Sequence, residues 1–363
     1  MKRNSKYMKL FAIVFSAVLV LSASMLFTAC SGGSGGAEDK GEVKVYCYGD
    51  YYDPEIVADF EAKTGIKVIQ DSYDTAEEMY PVIKNNSVEY DVVCTSDYMI
   101  QKMINEGLLQ SVDKANIPML ENIDPVYLEK SKEFDPGNEY SVPHMVGVAG
   151  IVYNKTETAG TEIDSWEDLW DEKFKDSIVM TDSVRENFMI ALRKLGYDQN
   201  TTSEAEVKAA ADELIKQKDL VYKYANDAAR DLLIDGSANI GVVWNGEYAY
   251  ILDYNEDIGY AVPKEGTEFF IDSWVIPATA KNKANAEAWI NYLCEAEVAA
   301  TNFEYLYYTT PNKAAYELID EAYLNNPAIF PTEDILARCD SLKTLDDATM
   351  DMYSSYWKQV KGN

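Results

Sequence analysis

Aromatic and acidic side chains recur together where apolar runs of this chain end. Tyr48, Asp50, Tyr51 and Tyr52 follow the first such run, and Ser96, Asp97 and Tyr98 follow the third. Trp244, Asn245, Gly246 and Glu247 close another, Phe270 and Asp272 lie in the last, and Tyr307 and Tyr308 stand shortly before Pro311. Tyrosine dominates the rings, with 27 Tyr against 11 Phe, so the aromatic faces come with hydroxyls attached. Carboxylates hold ammonium groups through charge-assisted hydrogen bonds, ring faces attract them by cation–π interaction, and methylenes pack between rings. The ligand chemistry that uses all three is an alkylammonium. Taken singly, each residue has a plainer reading: Tyr and Trp as core, Asp53 and Asp97 as helix caps. The recurrence at successive strand ends is what points to a site.

Other chemistries find less support. A single histidine, His144, excludes a His-rich metal site and disfavours most general-base enzymes. Cys47, Cys94, Cys294 and Cys339 match no zinc or thioredoxin spacing. Cys47 and Cys94 each end an apolar run, where they would either pair or stay as buried thiols. No metal or cofactor is expected. Glu186 and Asp272 offer a carboxylate pair of the kind a glycosidase uses, but nothing in the sequence sets their separation. Two further readings are a ferric-iron receptor using Tyr307 and Tyr308, and an oligosaccharide receptor using the rings. The charge balance, 32 Lys+Arg against 62 Asp+Glu for a net −30, argues against nucleic acid and against an anionic membrane surface as partners. It would draw in a cationic small molecule, although an acidic surface also serves solubility.

The positioning elements alternate. Strand-like runs at 43–48, 66–70 and 90–94 are separated by helices at 54–64 and 75–86, and a third helix opens at Ser96-Asp97 and ends at Gly107. Asp53-Pro54 starts the first helix and Gly65 stops it. This alternation predicts a parallel sheet with helices on its faces. The pattern restarts with β-rich runs at 142–153, 178–181, 239–244, 259–262 and 269–276, with helices at 184–195 and 203–218 between them. The fold class read from this is α/β, in two lobes with no linker between them. Clefts between such lobes, at the carboxyl ends of strands, are preferred ligand sites.

The N-terminus reads as an export signal. Lys2, Arg3, Lys6 and Lys9 precede a short apolar run at 10–21, and small residues lead to Thr28-Ala29-Cys30. This junction resembles a bacterial lipobox, with Phe27 where Leu is usual, and implies a lipidated Cys30 after removal of 1–29. Residues 30–41 then form a Gly/Ser tether, and the mature chain keeps 28 Lys+Arg against 62 Asp+Glu, a net −34. The expected product is extracytoplasmic and held to the cell membrane by its lipid alone.

Several motifs together resemble the spermidine/putrescine receptors of ABC importers. They are the run from Tyr46 to Thr64, Ser141-Val142-Pro143, Trp166-Glu167-Asp168-Leu169-Trp170, Arg193-Lys194-Leu195-Gly196-Tyr197, Trp244-Asn245-Gly246, Pro277-Ala278 with Lys281-Asn282-Lys283, and Thr310-Pro311-Asn312. The resemblance covers nearly all of 42–363 in the same order. It implies a two-lobe periplasmic-binding-protein fold, with 42–145 plus 271–316 in lobe 1 and 146–270 plus 317–363 in lobe 2. It further implies a polyamine ligand, ABC permease subunits as partners, a monomer, and no enzymatic activity. Carried over by position, Tyr51, Ser96, Tyr98, Glu186, Trp244, Asp272 and Tyr308 match binding positions, Asp272 being the family's main amine ligand. Tyr48 replaces a Trp, Gly49 replaces a small hydroxyl residue, and Ser183 stands where spermidine-preferring members carry a second acid. Phe270, Glu247 and Asp50 look like putrescine-type members. On that redistribution of acids a short diamine is expected to bind at least as well as a triamine. Lys343 stands where a polar uncharged residue is usual and is expected to point away from the cations.

Overall fold

The computed structural model describes residues 40–49, 51–226 and 228–362. Cys30, Asp50 and the expected leader at 1–29 lie outside these residues. Eleven strands form within them: β1 (Glu42–Tyr48), β2 (Lys67–Tyr73), β3 (Val92–Thr95), β4 (Leu109–Gln110), β5 (Ser141–Asn154) and β6 (Ile178–Met180), then β7 (Val221–Tyr224), β8 (Ile240–Trp244), β9 (Ile258–Ala261), β10 (Thr267–Pro277) and β11 (Cys339–Asp340). The early helices are α1 (Pro54–Thr64), α2 (Ala76–Lys84), α3 (Asp97–Asn105) and α4 (Pro125–Ser131). The middle of the chain holds α5 (Val184–Lys194), α6 (Glu204–Gln217), α7 (Ala228–Ile234) and α8 (Asn245–Leu252). The last third holds α9 (Lys283–Leu293), α10 (Ala296–Leu306), α11 (Glu321–Leu324), α12 (Glu333–Leu336) and α13 (Asp347–Lys361).

The strands run in the order β2-β1-β3-β10-β5-β8-β6-β7, with β4 and β11 on β10 and β9 on β5. Where a short helix returns the chain, neighbours are parallel: β1 with β2 and β3, and β6 with β7 and β8. The expectation of a parallel sheet throughout is corrected at the centre. There β10 is antiparallel to β3 and β5, and β5 is antiparallel to β8 and β9. β5 is reached from β4 through the long segment 111–140 and β10 from β9 through the short link 262–266, neither a simple strand–helix–strand return, so local alternation does not fix their direction. β10 is buried along its whole length and β5 along its first twelve residues, the burial expected of central strands. Residues 141–143 and 145–148 of β5 pair with β10, whereas 149–153 pair with β8, so this one strand carries the chain from one half of the sheet to the other.

Period-2 alternation builds the core. Val43, Val45 and Cys47 of β1 pack with Ile56 and Phe60 of α1 and Trp289 of α9, while Tyr46 faces the opposite cluster with Val93 and Met99. A third cluster joins Tyr248 and Ala249 of α8 to Ala299, Phe303 and Tyr307 at α10, and a fourth joins β5, β6 and β8 to Trp166 and Leu169. Phe188 of α5 packs with Val207 of α6 and Tyr353 of α13 in a fifth. The described cysteines Cys47, Cys94, Cys294 and Cys339 are free and buried among these clusters. Burial pushes the thiols of Cys47 and Cys294 up to about 12, so they pack as small apolar groups.

Candidate functional site

The ends of β1, β3, β8 and β10 open on one cleft, whose empty volume is about 990 Å³ including solvent at its mouth. Four turns and strands furnish its walls, each for a local reason. After β1 the chain leaves for α1, where Asp53 caps the helix through the Glu55 amide at 2.8 Å and Pro54 takes the first helical position. That start leaves Tyr48 and Tyr51 on the cleft side, their ring centroids 4.9 Å apart. After β3, Ser96 stands at the N-cap of α3 without using its side chain as a cap. Its hydroxyl instead meets that of Tyr48 at 2.8 Å. Asp97 accepts the Tyr98 amide at 2.7 Å, and the Tyr98 hydroxyl donates to Glu77 at 3.0 Å.

The central strand contributes a face. Glu268, Phe270 and Asp272 are spaced by two along β10 and all line the cleft, whereas Trp274 and Ile276 beyond the bulge enter the core. The bulge lies between Asp272 and Ser273, where Asp272 pairs with Met145 and Ser273 with Pro143, leaving His144 as the extra residue. His144 is buried against Trp274 and Tyr51, with Nε2 3.2 Å from the Tyr51 carbonyl oxygen, and burial lowers its pKa to about 4. It supports the turn that presents Tyr51. Gly147 lies opposite Phe270, where a Cβ would fall 2.6 Å from the ring edge. Gly246 likewise admits Tyr308, since a Cβ there would stand 2.3 Å from that ring.

The far wall comes from α5, α7 and α8. Trp244 donates its indole N–H to Glu268 at 3.0 Å, and Tyr308 donates to Glu247 at 3.3 Å. Arg230 stands 3.6 Å from Glu247, a base within an acidic cleft. Glu186 enters from the first turn of α5 beside Ser183.

Eleven of the twelve candidate residues thus line one cleft, and Asp50 lies outside the described residues. Lys343 does not line the cleft; it borders a separate surface hollow with Arg193 and Asp198, while its neighbour Leu342 faces the site. Sequence reasoning missed Asp74, Glu77, Asn226, Arg230 and Glu268. Of these, Glu268 carried a readable sign, since it precedes Phe270 and Asp272 by two and four residues on an alternating strand.

The electrostatics of the cleft are those of acids waiting for a cation. Burial pushes Asp272 up to about 6, although the Tyr51 and Ser96 hydroxyls pull the other way. Burial raises Asp97 to about 7 against the Tyr98 amide, with Asp272 adding to the rise. Burial raises Glu268 to about 7 against the Trp244 indole, and Asp97 adds to it. Glu186 is held well above the usual carboxylate range by burial, then by Glu268 and Glu77. One oxygen each of Asp97, Glu186 and Asp272 is buried and accepts no hydrogen bond from the described residues. Orphaned carboxylate oxygens beside ring faces are what a buried ammonium requires. Among the described residues no group of three or more His, Cys, Asp or Glu is arranged to hold a metal ion. Tyr307 and Tyr308 diverge: the former donates to Asp253 at 2.5 Å in the α8–α10 cluster, the latter faces the cleft.

Residues 55–332 match the model of the bacterial extracellular solute-binding proteins, and the chain belongs to that family. It is 36% identical over 326 residues to a protein of Salmonella typhimurium named as a spermidine/putrescine-binding periplasmic protein, covering 90% of this chain and 93% of that one. Its structure resembles the spermidine/putrescine ABC transporter substrate-binding protein PotD of Streptococcus pneumoniae, with TM-score 0.76, 35% identity, and 89% and 99% of the two chains covered. It also resembles the TpPotD lipoprotein of Treponema pallidum, with TM-score 0.78, 25% identity, and 89% and 100% covered.

Proposed function

We propose that the protein is an extracytoplasmic receptor that captures a polyamine in this cleft and hands it to the permease subunits of an ABC importer. The observation that carries this reading is the set of orphaned carboxylate oxygens on Asp97, Glu186 and Asp272, framed by Tyr48, Tyr51, Tyr98, Trp244, Phe270 and Tyr308. Burying carboxylates without partners is costly, and the cost is recovered when ammonium groups fill the vacant acceptor positions. The names of the Salmonella and Streptococcus relatives agree with it. The protein performs no chemistry on its ligand in this reading. Closure about the polyamine in this reading bends the sheet at β5, which pairs with β10 through one part of its length and with β8 through another.

The lipobox-like Thr28-Ala29-Cys30 junction supports anchoring through a lipidated Cys30, and a lipoprotein among the structural relatives agrees with it. No helix of the described residues is long and apolar enough to cross a membrane. Processed protein that stays in the aqueous phase of a detergent partition would overturn the anchor.

The test of the function is a thermal-shift and calorimetric panel of putrescine, cadaverine, spermidine and spermine, with maltose and ferric citrate as controls. Ligand at 100 times its Kd adds about 2.7 kcal/mol of stability, which reads as an upward shift of several degrees. Shifts with an amine and none with the controls are expected. A shift with sugar or iron alone would transfer the cleft to another solute.

A further inference from the structure

We propose that Glu268 is a direct ligand for the amine at the Glu186 end of the cleft, and that it restores the negative charge absent at Ser183, so that the receptor selects a triamine over a diamine. The inference rests on the polyamine reading and deepens it.

Three observations carry it. The first is placement. Glu268 is 3% exposed, lines the cleft, and shares the face of β10 with Phe270 and Asp272. The two acids therefore stand four residues apart on one strand, about 13 Å between their Cα atoms at strand rise. An extended diamine with four methylenes spans about 6 Å between nitrogens, and a triamine of the spermidine type about 11 Å, at ordinary bond lengths. With a hydrogen bond of about 2.9 Å counted at each end, either ligand spans the two acids across Phe270, and what the triamine adds is a further ammonium for the additional acid here.

The second observation is the company Glu268 keeps. Its side chain accepts the Trp244 indole N–H at 3.0 Å and lies in the field of Glu186 from α5, Asp97 from α3 and Asp272 from its own strand. The charge of the neighbouring base on α5, Arg185, partly offsets that field at both Glu186 and Glu268, but its hydrogen bonds go elsewhere. One nitrogen donates to the Lys343 carbonyl at 3.0 Å and another to Asn200 at 3.1 Å. Glu186 keeps a buried oxygen that no described residue satisfies. A second ammonium set between Glu186 and Glu268 relieves both the repulsion and the missing hydrogen bond.

The third observation concerns Glu247. Glu247, one of the acids on which a diamine preference was expected, stands 3.6 Å from Arg230 and accepts from Tyr308. An amine arriving at Glu247 meets a guanidinium already there, so this acid contributes less to capture than its charge suggests.

The experiment is calorimetry of putrescine and spermidine on the wild-type chain, on Glu268→Gln, and on Glu268→Gln with Ser183→Asp. Glutamine still accepts from the Trp244 indole, so the substitution removes charge while leaving that ring in place. Wild type is expected to bind spermidine at least ten-fold tighter than putrescine. Glu268→Gln is expected to weaken spermidine roughly 30-fold or more, the usual result of removing one partner of a desolvated charge pair, and putrescine by less than about three-fold. Adding Ser183→Asp is expected to return most of the lost spermidine affinity, which a merely misfolded variant would not do. Equal losses for the two amines, no loss for either, or a wild type that prefers putrescine would overturn the role of Glu268. Failure of every amine to bind wild type would instead overturn the polyamine reading itself.

Discussion

The two oxygens of Asp272 have different fates, and the difference predicts how the residue works. Oδ2 receives the Tyr51 hydroxyl, while Oδ1 is buried and accepts nothing from the described residues. An ammonium donating to Oδ1 would complete the carboxylate, in a cleft that Tyr48 and Tyr51 also line. Asp272→Asn keeps an acceptor for Tyr51 but removes the charge, and should weaken polyamine binding by roughly 30-fold or more, at about 2–5 kcal/mol for a desolvated pair. Calorimetry that returns wild-type affinity would remove Asp272 from the site. Asp272 was legible in the sequence because it lies in an aromatic, β-rich run leading to Pro277. Ser96 was legible as a position but not in its role, because a Ser before a helix reads as a cap and its hydroxyl here serves Tyr48 instead. Arg230 was not legible at all. No periodicity distinguishes a base on α7 that faces a cleft from one that faces solvent.

At the scale of elements, two glycines set how closely the aromatic walls approach. Phe270 lies across from Gly147, and an added Cβ would come within 2.5 Å of Asn245 Oδ1 and 2.6 Å of the Phe270 ring. Overpacking of this kind costs about 1–3 kcal/mol and is relieved by moving the more mobile group, which is the ring at the cleft surface. Gly147→Ala should therefore weaken polyamine binding by roughly ten-fold, with a drop in Tm of a few degrees. An unchanged affinity would mean that Phe270 yields into space without leaving the ligand. The boundaries of α1, α5 and β8 follow closely from their caps and apolar runs, since Asp53-Pro54, Gly65 and the first acidic turn are local signals. Strand direction at the centre is not local. β5 and β10 carry the same residue pattern whichever way they point, and only their pairing with β3 and β8 decides it.

Across the whole molecule, the buried acids tie stability to pH and to ligand. In the unfolded chain these carboxyls ionise near pH 4, whereas in the fold burial holds Asp272 near 6, Asp97 and Glu268 near 7, and Glu186 well above the usual range. Below pH 4 both states keep these protons and nothing is lost. As pH rises through the folded values, the unfolded chain has released protons that the fold retains, so the stability of the empty receptor falls. His144 works in the opposite sense. Burial lowers it to about 4, so the fold gains stability as pH rises from 4 to about 6.5, and His144 contributes no further change above that. The window from pH 6.5 to 8 therefore isolates the carboxyls. The Tm of the ligand-free protein should decrease across it. Saturating polyamine should flatten the decrease, because an ammonium favours the ionised carboxylates and binding then expels their protons. Calorimetry at pH 6.5 in buffers of different ionisation enthalpy counts those protons directly. A ligand-free Tm that rises from pH 6.5 to 8, or binding that releases no protons, would show that the cleft acids are already ionised and that some other group balances their charge.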